Sequence, residues 1–561
     1  MSPITLSTTR HWLSRILVPI AAGVALTFSA AAAARGPRLI VVLVVDQFRG
    51  DYVQKFGSQW TGGFRRLLTE AAYFSRTDYP YFNTVTCSGH STISTGSYPS
   101  VHGMILNTWW DRAIKKEVAC ADAEGWQIVS YGAALKGAGE SAERLRTSTL
   151  ADELRAQLDP KTRILGFSLK ARTAVTLIGQ RADAAVWFDD RGAWITSTAY
   201  TDKPVPAVAA YVKQHPVEAD FGKTWDRALP VDRYLFETPA IGAMPRSSMT
   251  AAFPHAVHGP GEEPDATFYA QWQSSPFSDV YLAGMALETA RSLGAGQSDR
   301  TDYLAIGFSA LDKIGHDFGP NSHEVQDTLI SLDRTLDRFF TGLDQVVGKG
   351  NYIVAVTADH GVAPIPERSR LMGLNAGRVS PALLESIIEE TLAPPAPARA
   401  TPSGARPKHT PIVERMVNTD VYLTPGTWPT LRQQPAVLAK LRARLLDAPG
   451  VQAVYTRDEL SANQFNDDAI GRSLARGHYS ERSGDITIVL KPYWMLQSGG
   501  TTHGSAYGYD TRVPLFLMGA GIAPGEYRQA ASPADIAPTL AFLAGVTLPR
   551  AQGRVLVEAL R

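Results

Sequence analysis

"RLIVVLVVDQFRG", residues 38–50, places seven consecutive aliphatic side chains in front of an aspartate. A run without polar alternation reads as a strand buried on both faces, the kind that sits inside a parallel sheet covered by helices. Similar runs recur at 302–312 ("DYLAIGFSALD"), 351–361 ("NYIVAVTADHG"), 485–494 ("DITIVLKPYW") and 513–521 ("VPLFLMGAG"). Helical stretches separate them, as at 322–345, where Leu and Phe fall three and four residues apart. Alternating strands and helices predict an α/β fold, a three-layer α/β/α sandwich around a largely parallel sheet.

Two regions break this rhythm. Residues 180–295 are rich in aromatics and prolines, and 370–480 contain the Pro- and Ala-rich run "LAPPAPARATPSGARPKHTP" (392–411), which reads as an exposed connection. Both are expected to be insertions forming a cap near the site on one catalytic domain, 35–561. Residues 1–34 read as a signal peptide: Arg10 and Arg15, an apolar run too short to span a bilayer, then an alanine tract. The expected destination is the periplasm or the exterior, with no stable membrane association after cleavage.

The 55 basic and 54 acidic side chains give a formal charge of +1, and loss of the leader's two arginines takes it to −1. No overall field draws nucleic acid or anionic lipid, so any affinity for phosphate is local. The two cysteines, Cys87 and Cys120, have the option of pairing in an oxidising compartment. Cys87 falls in a stretch that reads as a buried helix, which weighs against the bond and leaves it open.

Ligands of open α/β sheets bind beyond the carboxyl ends of the strands. There the sequence places Asp46, Asp312 with His316 ("DKIGH"), and Asp359 with His360 ("ADHG"), followed later by His503 in "SGGTTHGS". One helical turn separates Asp312 from His316, so both can reach one ion. Mixed carboxylate and imidazole suit zinc, and six ligands make two sites of three. Paired ions clamp the attacking and leaving oxygens of a displacement at phosphorus. The stretch "TVTCSGHSTISTG" (84–96) reads as a helix with a glycine stop, which puts Thr86 near its N-terminus, a favourable place for phosphate.

These motifs, with the run 84–111 and the closing "SPADIAPTLAFLAGVTLP" (532–549), resemble the alkaline phosphatase superfamily across about residues 38–548. Within it they are most similar to the threonine-nucleophile, two-zinc branch that includes the PafA-type enzymes. The resemblance implies Thr86 as nucleophile and zinc contact. It implies two Zn2+ per chain, one held by Asp46, Asp359 and His360 and the other by Asp312, His316 and His503. It makes His90 and His102 structural. His323 reads as a loop or cap residue, and His478 has no evident partner. The sulfatase alternative at Cys87 fails because "CSGHS" lacks that family's proline and arginine.

Two further elements bear on substrate. Asn107 lies 21 residues after Thr86 and offers an amide to a phosphoryl oxygen. In "TRILGFSLKARTAV" (162–175), Lys170 and Arg172 share one face if the segment is extended. Extra cations favour phosphate monoesters, which carry one more charge than diesters, and "SLKAR" resembles the pair of the monoesterase branch. The expectation is a zinc-dependent alkaline phosphatase that acts on small phosphate monoesters and releases inorganic phosphate. The alternatives are a phosphodiesterase or nucleotide pyrophosphatase, and a secreted metal- or phosphate-binding protein without turnover. A manganese phosphomutase of the same fold is disfavoured by the leader.

Overall fold

The computed structural model describes residues 36–393 and 411–561; the expected signal peptide and most of the 392–411 connection lie outside the described residues. Eight elements position the site: β1 (Leu39–Val45), α1 (Thr86–Thr95), β2 (Ile164–Ser168), α2 (Ala171–Ile178), β3 (Asp302–Phe308), α3 (Ala310–Phe318), β4 (Tyr352–Thr357) and β5 (Leu515–Gly519). β1 lies within an eleven-stranded sheet, parallel to β3 on one side and to β4 on the other, and β2 continues in parallel beyond β3.

Every residue of β1 is buried. Leu39, Val41, Leu43 and Val45 enter one apolar cluster with Met285, Leu336 and Phe340. Ile40, Val42 and Val44 enter the opposite cluster with Ile93 of α1, Val175 of α2 and Leu540. Successive strand side chains point to opposite faces, so an unbroken aliphatic run is what a sheet covered on both sides requires. Each large aliphatic side chain buried this way contributes about 1.5–3 kcal/mol relative to exposure. The three-layer α/β/α sandwich follows.

The sheet is parallel only across its centre. β5 pairs antiparallel with β4. On the other side, Ala184–Asp189 runs parallel to β2, but Ala193–Ser197 returns antiparallel to it. Residues 190–192 are too short a link for the crossover that a parallel pair needs.

The 485–494 run departs from expectation as well. Its strand, Ile486–Leu490, pairs with Asp420–Leu423 and Val451–Thr456 in a separate four-stranded sheet that has its own core around Leu384, Val421, Leu441 and Ile488. A buried aliphatic run reports depth, not which sheet it joins. The 180–295 span supplies Ala184–Asp189 and Ala193–Ser197 to the central sheet and the helix Pro276–Leu293 to its covering layer. Among the described residues no helix is long and apolar enough to cross a membrane.

Because β1, β3 and β4 are parallel, their carboxyl ends open on one edge, where α1 is drawn close to the turn after β4. A Cβ on Gly89 would lie 2.2 Å from the Asp359 carbonyl oxygen. Gly89→Ala is therefore expected to push α1 off this edge and lower stability by about 1–3 kcal/mol. Chemical denaturation measures it, and stability equal to wild type contradicts the contact.

Candidate active site

Asp46 follows β1 directly and is fully buried. Asp359 and His360 follow β4, also at 0% exposure, and Asp312 sits in the first turn of α3 after β3. His503 arrives from the loop before β5. Two groups result: Asp46, Asp359 and His360, and Asp312, His360 and His503, each with its ligand atoms within 4.8 Å of one another. The first is the trio expected from sequence. In the second, His360 stands between the groups, while His316 Nε2 lies 3.2 Å from Asp312 Oδ1 at the more open side.

The three histidines share one orientation. Nδ1 of His316, His360 and His503 meets the carbonyl oxygens of Thr501, Gly361 and Thr84 at 2.8, 2.9 and 2.8 Å. A carbonyl only accepts, so each Nδ1 carries hydrogen and donates, which turns Nε2 inward as the ligand atom. His360 Nε2 is 3.4 Å from Asp46 Oδ1 and 3.2 Å from Asp359 Oδ2, yet none of these three buried atoms completes a hydrogen bond. Buried polar atoms without partners are costly. Inward imidazoles and orphaned carboxylate oxygens are the donor set that a borderline divalent ion such as zinc satisfies.

Electrostatics point the same way. Burial opposes ionisation of Asp359, but His360 and His90 hold its carboxyl well below the usual range. Burial also opposes charge on His360, yet Asp359 raises it to about 9. His503 is pushed well down by burial and by His360 and His316.

Thr86 is the first residue of α1 and is almost fully buried. Its segment is tied to both groups: Thr84 O accepts from His503, and His90 Nδ1 lies 2.8 Å from Thr86 O and 3.2 Å from Asp359 Oδ2. Burial lowers His90 to about 4 and His102 to about 3. His102 contacts Thr92 and Met104 away from the ligand groups. His323 begins its helix, facing Arg227 and the Phe236 carbonyl, and His478 meets Ser461. Asn107 Oδ1 accepts from Cys87 N at 2.9 Å, leaving its NH2 as the uncommitted end.

Lys170 and Arg172 do not lie on an extended face. The chain turns at Lys170, the N-cap of α2, and Arg172 sits in the first turn, because "ARTAVTLI" carries a helical apolar stripe that ends at Gly179. Lys170 Nζ is 2.5 Å from both Asp46 Oδ2 and Asp312 Oδ2, bridging the two ligand groups. Arg172 Nε is buried without a partner, and its charge still reaches Lys170.

Cys87 and Cys120 are joined by a disulfide. Cys87 is the second residue of α1, at the start of the buried helix that weighed against pairing, and the hairpin Thr108–Ala119 brings Cys120 alongside it. The bond and Asn107 together fix this hairpin against the start of α1.

Two residues escaped the sequence reading. Gln47 has φ 70°, rare without glycine, and donates from N to Asp359 Oδ1 (3.1 Å) and from Nε2 to Asp312 Oδ1 (2.7 Å). Lys313 joins the Lys170 and Arg172 cations, and burial with Lys170's charge pushes it down to about 8. The only sequence signal for either was its place next to a candidate ligand.

A cavity of 490 Å³ opens beside His316 and His503. Asn107 and Tyr507 line it, and the small sheet's surroundings contribute Asn418, Leu490 and Trp494.

Comparison with known proteins agrees with this arrangement. The profile of the type I phosphodiesterase / nucleotide pyrophosphatase family matches residues 40–510. Alkaline phosphatase PhoV of Synechococcus elongatus is 30% identical over 94% of this chain and 93% of its own. Alkaline phosphatase PafA of Elizabethkingia meningoseptica is 32% identical over 93% of this chain and 94% of its own. The crystal structure of wild-type PafA superposes with a TM-score of 0.83 at 30% identity, over 94% of this chain and 99% of that one.

Two outcomes follow from the geometry. Metal entry must displace the His360 proton, so zinc affinity should fall as pH drops from about 9 toward 6.5, roughly tenfold per unit for one proton. Chelator competition across that range checks it; affinity that strengthens on acidification contradicts it. Cys120→Ser frees the hairpin carrying Asn107, with an expected loss of about 2–5 kcal/mol in stability, read by thermal unfolding against the wild type.

Proposed function

The chain belongs to the type I phosphodiesterase / nucleotide pyrophosphatase family, and from that premise we propose that it is an exported, zinc-dependent alkaline phosphatase that hydrolyses phosphate monoesters through a phosphothreonine on Thr86. The observation that carries this reading is the position of Thr86, at the start of α1, between segments tied to two carboxylate–imidazole groups that share His360. Its relatives named alkaline phosphatase, matched over nearly the full chain, support phosphomonoester hydrolysis.

Asp46, Asp359 and His360 would hold one zinc, and Asp312, His316 and His503 the other. Zinc bound there lowers the pKa of a coordinated hydroxyl or water and offsets charge on the oxygen leaving phosphorus. Thr86 Oγ gives up its proton and bonds to phosphorus in line as the ester oxygen departs and takes up a proton. Water then attacks the phosphothreonine, the P–Oγ bond breaks, and inorganic phosphate leaves as Thr86 regains a proton. The N-terminal end of α1 favours the negative phosphoryl group.

Asn107 presents its NH2 to one phosphoryl oxygen, since its carbonyl is held by Cys87 N. Lys170 stands between the ligand groups, where its ammonium would meet a phosphoryl oxygen, and Arg172 adds a second cation. Two cations suit the doubly charged monoester better than a diester. The leaving group occupies the 490 Å³ cavity, whose size admits an organic group such as an aryl or sugar moiety.

Thr86→Ala is expected to lower kcat/KM for p-nitrophenyl phosphate on the order of 10⁴-fold or more. Lys170→Ala with Arg172→Ala should cost on the order of 10²–10³ on the monoester and far less on bis-p-nitrophenyl phosphate. Equal losses on both esters would move the protein to the diesterase reading. Thr86→Ala with wild-type activity would remove Thr86 as nucleophile.

A further inference from the structure

On another part of the molecule, a cavity of 510 Å³ is lined by Arg112, Arg144, Arg146, Arg457 and Arg482 around Trp109. It shares no lining residue with the ligand groups or with the leaving-group cavity. We propose that it is a second anion site, non-hydrolytic, that takes a multiply charged phosphorylated anion.

Its floor is built rather than incidental. Trp109 is 1% exposed and Arg482 is 5% exposed, with the Arg482 guanidinium 4.7 Å above the indole. Arg482 donates to the carbonyl oxygens of Gly103 (2.5 Å) and Arg144 (2.8 Å), so its position is fixed without any carboxylate. Arg144 approaches the same ring at 5.9 Å.

Negative charge is scarce here. Asp485 is shared between Arg112 (3.2 Å) and Arg457 (2.8 Å). Asp111 spends Oδ1 on the backbone N–H groups of residues 113 and 114, and its Oδ2 stays 3.9 Å from Arg144. Glu481 makes no ion pair among the described residues and is the remaining acid of the lining. Five guanidinium groups thus face these three carboxylates, with buried Asp420 also acting on Arg112. Burial and the charges of Arg146 and Arg144 push Arg482 down to about 10, which is what uncompensated positive charge does to a neighbouring cation.

Donors remain for a ligand. The Arg146 guanidinium is exposed and makes no hydrogen bond or ion pair among the described residues. Arg146 also lines an adjoining depression with Arg155 and Arg181, which extends the basic ground beyond one phosphate group. Guanidinium forks match phosphate oxygens bidentately, and the excess of positive groups calls for an anion of two or more charges. The near-zero net charge of the chain confines this attraction to the cavity and disfavours a long nucleic acid track.

The test is calorimetric titration of the zinc-loaded protein with inositol hexasulfate, a polyanion without a phosphate ester to cleave. Wild type and Arg172→Ala should bind one equivalent alike, Arg146→Glu about tenfold or more weakly, and Arg146→Lys in between. Arg146→Glu should hydrolyse p-nitrophenyl phosphate at the wild-type rate, which also shows that it folds. Absence of binding, equal binding by Arg146→Glu, or loss in Arg172→Ala overturns the proposal. Displacement by soluble tripolyphosphate identifies a free oligophosphate as ligand, and displacement only by phosphatidate vesicles identifies a lipid headgroup. Displacement by neither overturns it.

Discussion

Three carboxylates, Asp46, Asp312 and Asp359, are buried together at the ends of parallel strands, and their mutual repulsion is the constraint on which the site depends. Two unit charges about 4 Å apart repel by roughly 4 kcal/mol at an effective dielectric of 20. Lys170 supplies one compensating cation between Asp46 and Asp312. Gln47 supplies neutral donors to Asp312 and Asp359 from a left-handed backbone. The oxygens still without partners lie where three inward imidazoles point. A site this short of positive charge is suited to divalent cations and, once they are bound, to an anionic phosphoryl group.

The parallel centre of the sheet makes this convergence possible. β1, β3 and β4 end on one edge, so aspartates far apart in sequence meet without long side chains reaching across the fold. Gly89 lets α1 approach that edge at backbone distance, and the disulfide anchors the start of the same helix to the hairpin after Asn107. The small second sheet helps wall the space beyond His316 and His503, so that space is shaped in part by a stretch of chain separate from the ligands.

The central strands and the candidate ligands were legible in sequence because both signals are local: an aliphatic run of fixed length, followed at once by an acidic or imidazole side chain. The start of α1 was legible for the same reason, from its glycine stop. What was not legible depends on partners distant in sequence. The strand Ile486–Leu490 looks like any buried strand until Asp420–Leu423 pairs with it. Lys170 looks extended in sequence because the short apolar stripe of α2 begins immediately after it. The Cys87–Cys120 bond depends on a hairpin fold-back, Gln47 on two acids more than 260 residues away, and the arginine cavity on residues drawn from four separate stretches.

Covalent phosphorylation of Thr86 during turnover is the step on which the proposed function rests. Its most direct test is to quench the zinc-loaded protein in acid during hydrolysis of a labelled monoester and map the label by peptide mass spectrometry. The expected result is a phosphorylated peptide from residues 84–96 with the phosphate on Thr86. Label on Ser88 or elsewhere, or turnover with no trapped phosphoprotein under conditions where dephosphorylation limits the rate, would contradict it.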